Sequence, residues 1–394
     1  MSAAYASGLV QGRVARAAID ANLRAFVAAV PIRALRDRAL RESGFLGPSV
    51  RAQIAGIAEG AGRPFSLLLA YNLYREEVAA DGCTVMGAVG SASANGRTVF
   101  MKNSDQLGND SMVGPNFHEH KEVYVVQATT ADNGRRIVGL SAAGATGIKV
   151  GVNDAGVAAG SNIARTTELA DRRVDVSKVR ASDRTQLLRE GLEEASALAA
   201  SQRILAKTMS MPTSTPGNMQ FADAGECWVL ETSYDSYATE VIRDGIFCRA
   251  NRFQVLSALN DPKDASSVAR YARCRELLEA AEAAGGVTFE ELAEFSADHA
   301  NGPSLESVCR HAADYREETS LGAGVVEIDP DRPGNSRIAL ALGKPCRAWR
   351  NPESRIELTA EAKPGDVPTP FLDGSAWLLS YSEQPFEGDL VPQR

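Results

Sequence analysis

In Asp81-Gly82-Cys83-Thr84 a cysteine follows a glycine at the point where a helical stretch gives way to a strand. A cysteine entering a strand is ordinarily a buried packing residue. The chemically richer reading is a latent N-terminal nucleophile. Were the Gly82–Cys83 bond cut, Cys83 would gain an α-amino group with an ordinary pKa of about 7.7–8.0. That amine sits on the same residue as the thiol and can take its proton, directly or through water, so no histidine base is required. Gly82, lacking a side chain, lets the thiol approach its carbonyl closely, as self-cleavage by an N-to-S acyl shift requires.

Other motifs carry less. Only four histidines occur, none in a recognisable nucleophile–base context, which argues against a Ser-His-Asp hydrolase. His118-Glu119-His120 would need further ligands from elsewhere, so no metal site is expected. Asn109-Asp110-Ser111 fits a glycosylation acceptor but has no secretory context. The glycines between Gly139 and Gly160 form neither G-x-G-x-x-G nor a P-loop and read as tight turns and close strand packing. The six cysteines, Cys83, Cys227, Cys248, Cys274, Cys309 and Cys346, show no C-x-x-C pair. Apart from Cys83 they read as small buried hydrophobes or reduced thiols.

The elements that must position Cys83 follow from periodicity and breakers. The first eighty or so residues read as helices: Met1 to Val30, Arg33 to Glu42, Ser49 to Ile57, and one opened by Pro64, with breaks at Gly44, Gly47-Pro48 and Gly60 to Gly62. From Thr84 the chain reads as strands: Thr84 to Val89, Arg97 to Lys102, Glu122 to Gln127, Arg136 to Leu140, Gly147 to Val152 and Val157 to Ile163, the last two paired antiparallel. Asp183 with Gln186 suggests a capping box opening one helix to about Ala206. Strands Glu226 to Ser233, Thr239 to Arg243 and Ile246 to Arg249 follow, then helices Ser266 to Ala284 and Phe289 to Ala297. Strands near Gly324 to Ile328 and Ser336 to Leu342 precede a Pro-rich tail. Alternating blocks of helix and sheet favour a layered α+β domain over a doubly wound one.

With 44% hydrophobic and 23% charged residues, the 394-residue chain can bury a sizeable core. Its net charge of -8 argues against a nucleic-acid partner. No apolar run approaches the roughly 18 residues of a membrane span. Arg13, Arg16, Asp20 and Arg24 interrupt any secretory h-region, so a cytoplasmic protein is expected.

The chain resembles, over nearly its whole length, the acyl-coenzyme A:isopenicillin N acyltransferase family of self-processing N-terminal-nucleophile (Ntn) hydrolases. More distantly it is similar to the penicillin V acylase and bile salt hydrolase group. The resemblance rests on an ordered series: Gly56 to Gly62, Leu67 to Asn72, Asp81 to Thr84, Asn95 to Asp105, Lys149 to Val157, Gly160 to Asn162, Gly225 to Glu231, Arg249 to Arg252, Ser307 to Arg310, and Leu342 to Cys346. It implies a four-layer αββα sandwich with residues 1–82 as a helical pro-segment that stays associated after cleavage at Gly82/Cys83, and 83–394 as the catalytic chain.

The resemblance also implies roles. Cys83 would be the nucleophile of self-cleavage and catalysis, and Asp105 would hold its new amino terminus. Asn251 would donate to the oxyanion, an interaction worth on the order of 3–4 kcal/mol. Asn162 would lie near the same oxyanion, and Arg270 would brace the site, with Arg273 a rival one turn away. Lys102, Thr84 and Arg310 would line the substrate. Lys102 stands where the acylase group has arginine, and Glu317-Glu318-Thr319-Ser320 where the acyltransferase has a Ser-Arg pair, so a penicillin substrate is not implied. The expected reaction is hydrolysis of a small linear amide without metal or organic cofactor. Acyl transfer to an amine is the close alternative, and a binding protein on the same fold the alternative of another class. A homo-oligomer is compatible with the sequence, which does not specify subunit number.

Overall fold

In the computed structural model, which describes residues 1–78, 82–106, 122–168, 183–210, 216–300, 302–312 and 318–382, the strands form two antiparallel sheets. The first has the order β10 (Gly245–Arg249), β1 (Cys83–Val89), β2 (Val99–Gln106), β11 (Thr319–Glu327), β12 (Arg337–Leu342), β13 (Arg355–Thr359). The second runs in sequence order: β3 (Tyr124–Thr130), β4 (Arg136–Ala142), β5 (Val150–Asn153), β6 (Ala158–Ile163), β7 (Gly217–Ala222), β8 (Cys227–Thr232), β9 (Tyr237–Ile242).

Both faces of the central strands are apolar because both are covered. On β1 and β2, Val85 and Phe100 join the core between the sheets, while Met86, Ala88 and Met101 join an outer core. That outer core is roofed by helices at Ala265–Ala283 and Phe289–Ser296, through Cys274, Leu278, Phe289 and Leu292. On the far side, helices Arg184–Gly191 and Ala197–Ser210 cover the second sheet with Leu187, Leu188 and Ile204 against Ile148, Met219 and Phe221. The result is the αββα sandwich. Among the described residues no helix is long and apolar enough to cross a membrane.

The N-terminal helices are α1 (Ala3–Val14), α2 (Arg16–Ala29), α3 (Ile32–Glu42), α4 (Pro48–Ala61) and α5 (Phe65–Val78). They share the inter-sheet core through Phe26, Ile54, Leu68 and Tyr71. Three buried polar residues tie them to the rest. Asn22 Nδ2 donates to the carbonyls of Val123 and Ala143, and its Oδ1 accepts from Val123 N–H. Asn72 Oδ1 accepts from Thr146 N–H and Gln186 Nε2. Arg75 pairs with Glu122 at 2.8 Å and Asp183 at 2.9 Å.

Several boundaries differ from the sequence reading. Gln186 does not reach back to the Asp183 cap but binds Asn72; Asp183 alone caps, through Thr185 N–H. The helix expected to run to Ala206 is two helices. Asn153 Nδ2 takes the carbonyls of Leu192 and Glu194, and the second helix has its own caps, Ser196 Oγ to Ala199 N–H and Asp223 Oδ2 to Ala197 N–H. Strand β7 was not expected. The Pro-rich tail contains β13, whose alternating Arg355-Ile356-Glu357-Leu358-Thr359 is that of a half-exposed edge strand.

The Gly56 to Gly62 motif has a packing reason. Gly8 and Gly12 of α1 face Gly56 and Gly60 of α4 so closely that a Cβ at any of them would overlap the other helix's backbone. Gly56→Val should therefore destabilise the fold by about 3 kcal/mol, the upper end for overpacking. Gly44→Ala, whose Cβ meets nothing, should be near neutral in the same urea titration.

Candidate active site

Cys83 opens β1, an interior strand of the first sheet between β10 and β2, is paired with Ser104 of β2, and is 1% exposed. Strand alternation puts its side chain on the inter-sheet face with Val85, and Thr84 on the outer face with Met86. The peptide unit before it is held on both sides. Asp105 N–H donates to the Gly82 carbonyl at 2.8 Å, and Cys83 N–H donates to Asn251 Oδ1 at 3.3 Å.

Arg270 lies in the roofing helix Ala265–Ala283 and has no exposed surface. Its Nη1 donates to the Cys83 carbonyl at 3.0 Å and Thr84 Oγ1 at 2.9 Å; its Nη2 donates to Asn251 Oδ1 at 2.7 Å and Ser267 Oγ at 3.2 Å. Arg273, its rival in sequence, turns instead to Asp298 at 2.8 Å. Asn251 shows a difference from expectation. It presents its carbonyl to Cys83 and Arg270, while its Nδ2 donates to Ile163 O at 2.9 Å. Two cationic or amide donors compete for the oxygen here, and so the amide nitrogen is directed away from the position expected of an oxyanion donor.

The Asp105 carboxylate accepts from Ser320 Oγ at 2.6 Å and faces Arg310 at 3.6 Å. Its buried Oδ2 accepts no hydrogen bond among the described residues. Glu318 bridges Arg310 and Arg165, and Asp264 lies 3.9 Å from Arg165. Burial lowers the basicity of both inner arginines. With Arg270 as its like-charged neighbour, Arg310 is brought down to about 9. The carboxylates of Asp105 and Asp264 oppose that shift and keep the guanidiniums charged. A Cβ on Gly82 would collide with the Glu318–Arg310 pair, so any larger residue there would have to displace that pair.

Asn162 ends β6 with no exposed surface; its Nδ2 donates to Ala250 O, and its Oδ1 accepts from Gln220 at 3.4 Å. Lys102 is buried and donates to Ser104 Oγ at 2.9 Å. The structure thus gathers Cys83, Thr84, Lys102, Asp105, Asn162, Asn251, Arg270 and Arg310 from three strands, one helix and two loops. Sequence reasoning missed Ser320, Arg165 and the part played by Glu318. Glu318 and Ser320 lie in the segment flagged as departing from the family pattern; Arg165 carried no signal. Asp81, Glu317, the His118–His120 pair and Asn109 lie outside the described residues.

The other cysteines divide in two. Burial pushes the Cys227 and Cys274 thiols well up and Cys248 up to about 12, so these are inert packing groups. Cys309 and Cys346 meet His299 and His311 in one cluster, the only group of potential metal ligands among the described residues.

No family model and no curated protein matches the chain. Among solved structures, a Caenorhabditis elegans N-acylethanolamine-hydrolyzing acid amidase ortholog is similar at 14% identity. The match covers 70% of this chain and 100% of that one, with a TM-score of 0.41. Two variants of conjugated bile acid hydrolase from Clostridium perfringens match at 10% and 11% identity, over 72% of this chain and 94% of theirs, with TM-scores of 0.43 and 0.42.

Glu318→Gln removes the counter-charge that Arg310 and Arg165 share. It should cost about 3 kcal/mol of stability in urea unfolding, as for breaking one side of a buried pair. Glu353→Gln at the surface should cost nothing measurable.

Proposed function

We propose that this chain is a self-processing cysteine amidohydrolase of the Ntn type, which cuts its own Gly82–Cys83 bond and then uses Cys83 to hydrolyse a linear amide of a small molecule. The observation that carries this reading is the grip on both halves of one peptide unit, the Gly82 carbonyl by Asp105 N–H and the Cys83 nitrogen by Asn251 Oδ1. In self-cleavage the Cys83 sulfur bonds to the Gly82 carbonyl carbon as the thiol gives up its proton. Negative charge then collects on the oxygen that the Asp105 N–H already faces. The C–N bond breaks and its nitrogen takes a proton to become the Cys83 α-amine; water then hydrolyses the thioester to a Gly82 carboxylate and the free Cys83 thiol.

In turnover the α-amine takes the thiol proton, sulfur attacks the substrate carbonyl, and the resulting α-ammonium protonates the leaving amine. Water then adds to the thioester and releases the acid. The buried Asp105 Oδ2 is a ready acceptor for that ammonium, and Asn251 Oδ1 a second. Arg270 positions Cys83 and Asn251 by binding the Cys83 carbonyl, Thr84 and Asn251 Oδ1. Arg310 is already held by carboxylates, so it positions Asp105 rather than binding substrate. Lys102 shares a strand face with the Cys83 pair Ser104 and is the substrate-side cation. The buried ties of Asn22, Asn72 and Arg75 hold residues 1–82 on the catalytic chain after the cut.

Denaturing intact-mass measurement should give two fragments meeting at Gly82/Cys83, which co-elute in native gel filtration. Cys83→Ala should give one uncut chain; an uncut wild type after prolonged incubation would sink the proposal. Asn251→Ala should lower kcat/KM on the amide that a substrate panel identifies by about 10²-fold, the cost of a misplaced nucleophile. In the same assay an added amine should leave the free acid as the main product.

A further inference from the structure

Outside the Cys83 site, one set of side chains has no use in the mechanism above. His299 follows the helix Phe289–Ser296, Cys309 and His311 belong to the loop leading to β11, and Cys346 sits on a short helix, Pro345–Ala348, after β12. One ligand atom from each lies within 4.8 Å of all the others. Both sulfurs approach the same His311 nitrogen, Cys309 Sγ at 3.7 Å and Cys346 Sγ at 3.6 Å. A tetrahedral zinc with Zn–S near 2.3 Å and Zn–N near 2.05 Å requires neighbouring S and N about 3.6 Å apart. The rings of His299 and His311 meet edge to face, 4.7 Å between centroids. The Nε2 of His299 is sealed from solvent and accepts or donates no hydrogen bond among the described residues, a buried polar atom that a ligand would satisfy.

From this we infer that His299, Cys309, His311 and Cys346 form a structural site for one zinc ion. Two sulfurs and two imidazole nitrogens suit zinc over the hard cations, and four protein ligands leave no open position for chemistry. Binding displaces the two thiol protons, so two thiolates balance the charge of the ion.

The surroundings are built to hold the set. Cys309 N–H donates to Asp298 O at 3.2 Å and His311 N–H to Ser304 O at 3.0 Å. Arg273 grips the Asp298 carboxylate, and Trp349 Nε1 donates to Ser296 Oγ at 2.6 Å, joining the short helix to the end of the longer one. A cavity of about 740 Å³ beside Phe289, Trp349 and Ile356 reaches Cys346 and provides an entry path.

The consequence for the Cys83 site follows from spacing. Cys309 and His311 flank Arg310, whose guanidinium faces Asp105 and Glu318 while the side chains on either side of it meet in the cluster. The ion therefore clamps the chain on either side of the arginine that faces Asp105, Glu318 and Gly82. Zinc is a positioning element for Arg310, not a participant in the reaction.

The test is elemental analysis of the full chain purified without chelator. Wild type and Cys83→Ala should each carry about one zinc per chain, so the outcome is independent of whether Cys83 is a nucleophile. Cys346→Ser and His299→Ala should retain at least tenfold less after dialysis, the lower bound set by losing even an outer-shell partner. Wild type stripped by mild chelation and reloaded with cobalt(II) should show the intense visible absorption of tetrahedral cobalt with sulfur-to-metal charge transfer, a readout that stands even if the variants fail to fold. Stripped wild type that gives no such spectrum on reloading with cobalt(II) would overturn the site, as would a Cys309–Cys346 disulfide in the peptide map or full zinc retention by Cys346→Ser.

Discussion

A guanidinium with no exposed surface sets the terms for the first sheet. Arg270 cannot be buried charged unless its donors are met and carboxylates stand nearby. The roofing helix delivers it to the start of β1, where the Cys83 carbonyl, the Thr84 hydroxyl, Asn251 Oδ1 and Ser267 Oγ take its hydrogens. Asp105 and Asp264 supply compensating charge. Because those acceptors come from β1, from the chain after β10 and from the helix itself, satisfying one charge aligns three elements on Cys83. An apolar residue of similar size would pack the helix but leave the strand start unregistered.

The same logic recurs where the N-terminal helices meet the second sheet. Arg75 is buried between Glu122 and Asp183, and the hydroxyl of Tyr71 donates to Glu122, whose charge, with burial as the larger cause, holds that phenol well above its ordinary range. Asn22 and Asn72 replace missing strand partners for the backbone of residues 123 and 143–146. These contacts are specific in direction as well as favourable, while the glycine-lined contact of α1 with α4 is governed by backbone approach alone. The helical segment is thus part of the sandwich core, with a polar lock at its C-terminal end.

Arg310 joins two chemically distinct regions. Its side chain belongs to a network of two arginines and three carboxylates beside Gly82, while its neighbours Cys309 and His311 point into a sulfur and imidazole cluster. A loop between a helix and a strand would ordinarily be the least constrained part of such a site. Here backbone bonds to Asp298, Ser304 and Ser320 hold it, and the inferred ion would complete that restraint.

Local chemistry made much of this legible. A helix start within one residue of Ser49, the stop at Gly62, the β5–β6 hairpin and the Gly-Cys junction are set by neighbours a few residues apart, so the chain alone determines them, although the helix runs through Gly60 to Ala61 rather than ending at Ile57. The four-layer arrangement and Cys83, Asp105 and Asn251 came from resemblance on an ordered series of short motifs. What the sequence did not reveal depends on residues far apart. Asn153 splits a helix that its own periodicity would continue, because its amide reaches two carbonyls about forty positions away. The resemblance named Arg270 and left Arg273 a rival; only the rotation of the helix on the sheet separates them. His299, Cys309, His311 and Cys346 have no ligand spacing in sequence, since their proximity arises only when the loop and the short helix after β12 close on each other. Sequence determines the elements and marks Cys83 as the candidate nucleophile, because these rest on local backbone preference and on short motifs; tertiary structure decides which charges are buried together, because compensation is a property of space.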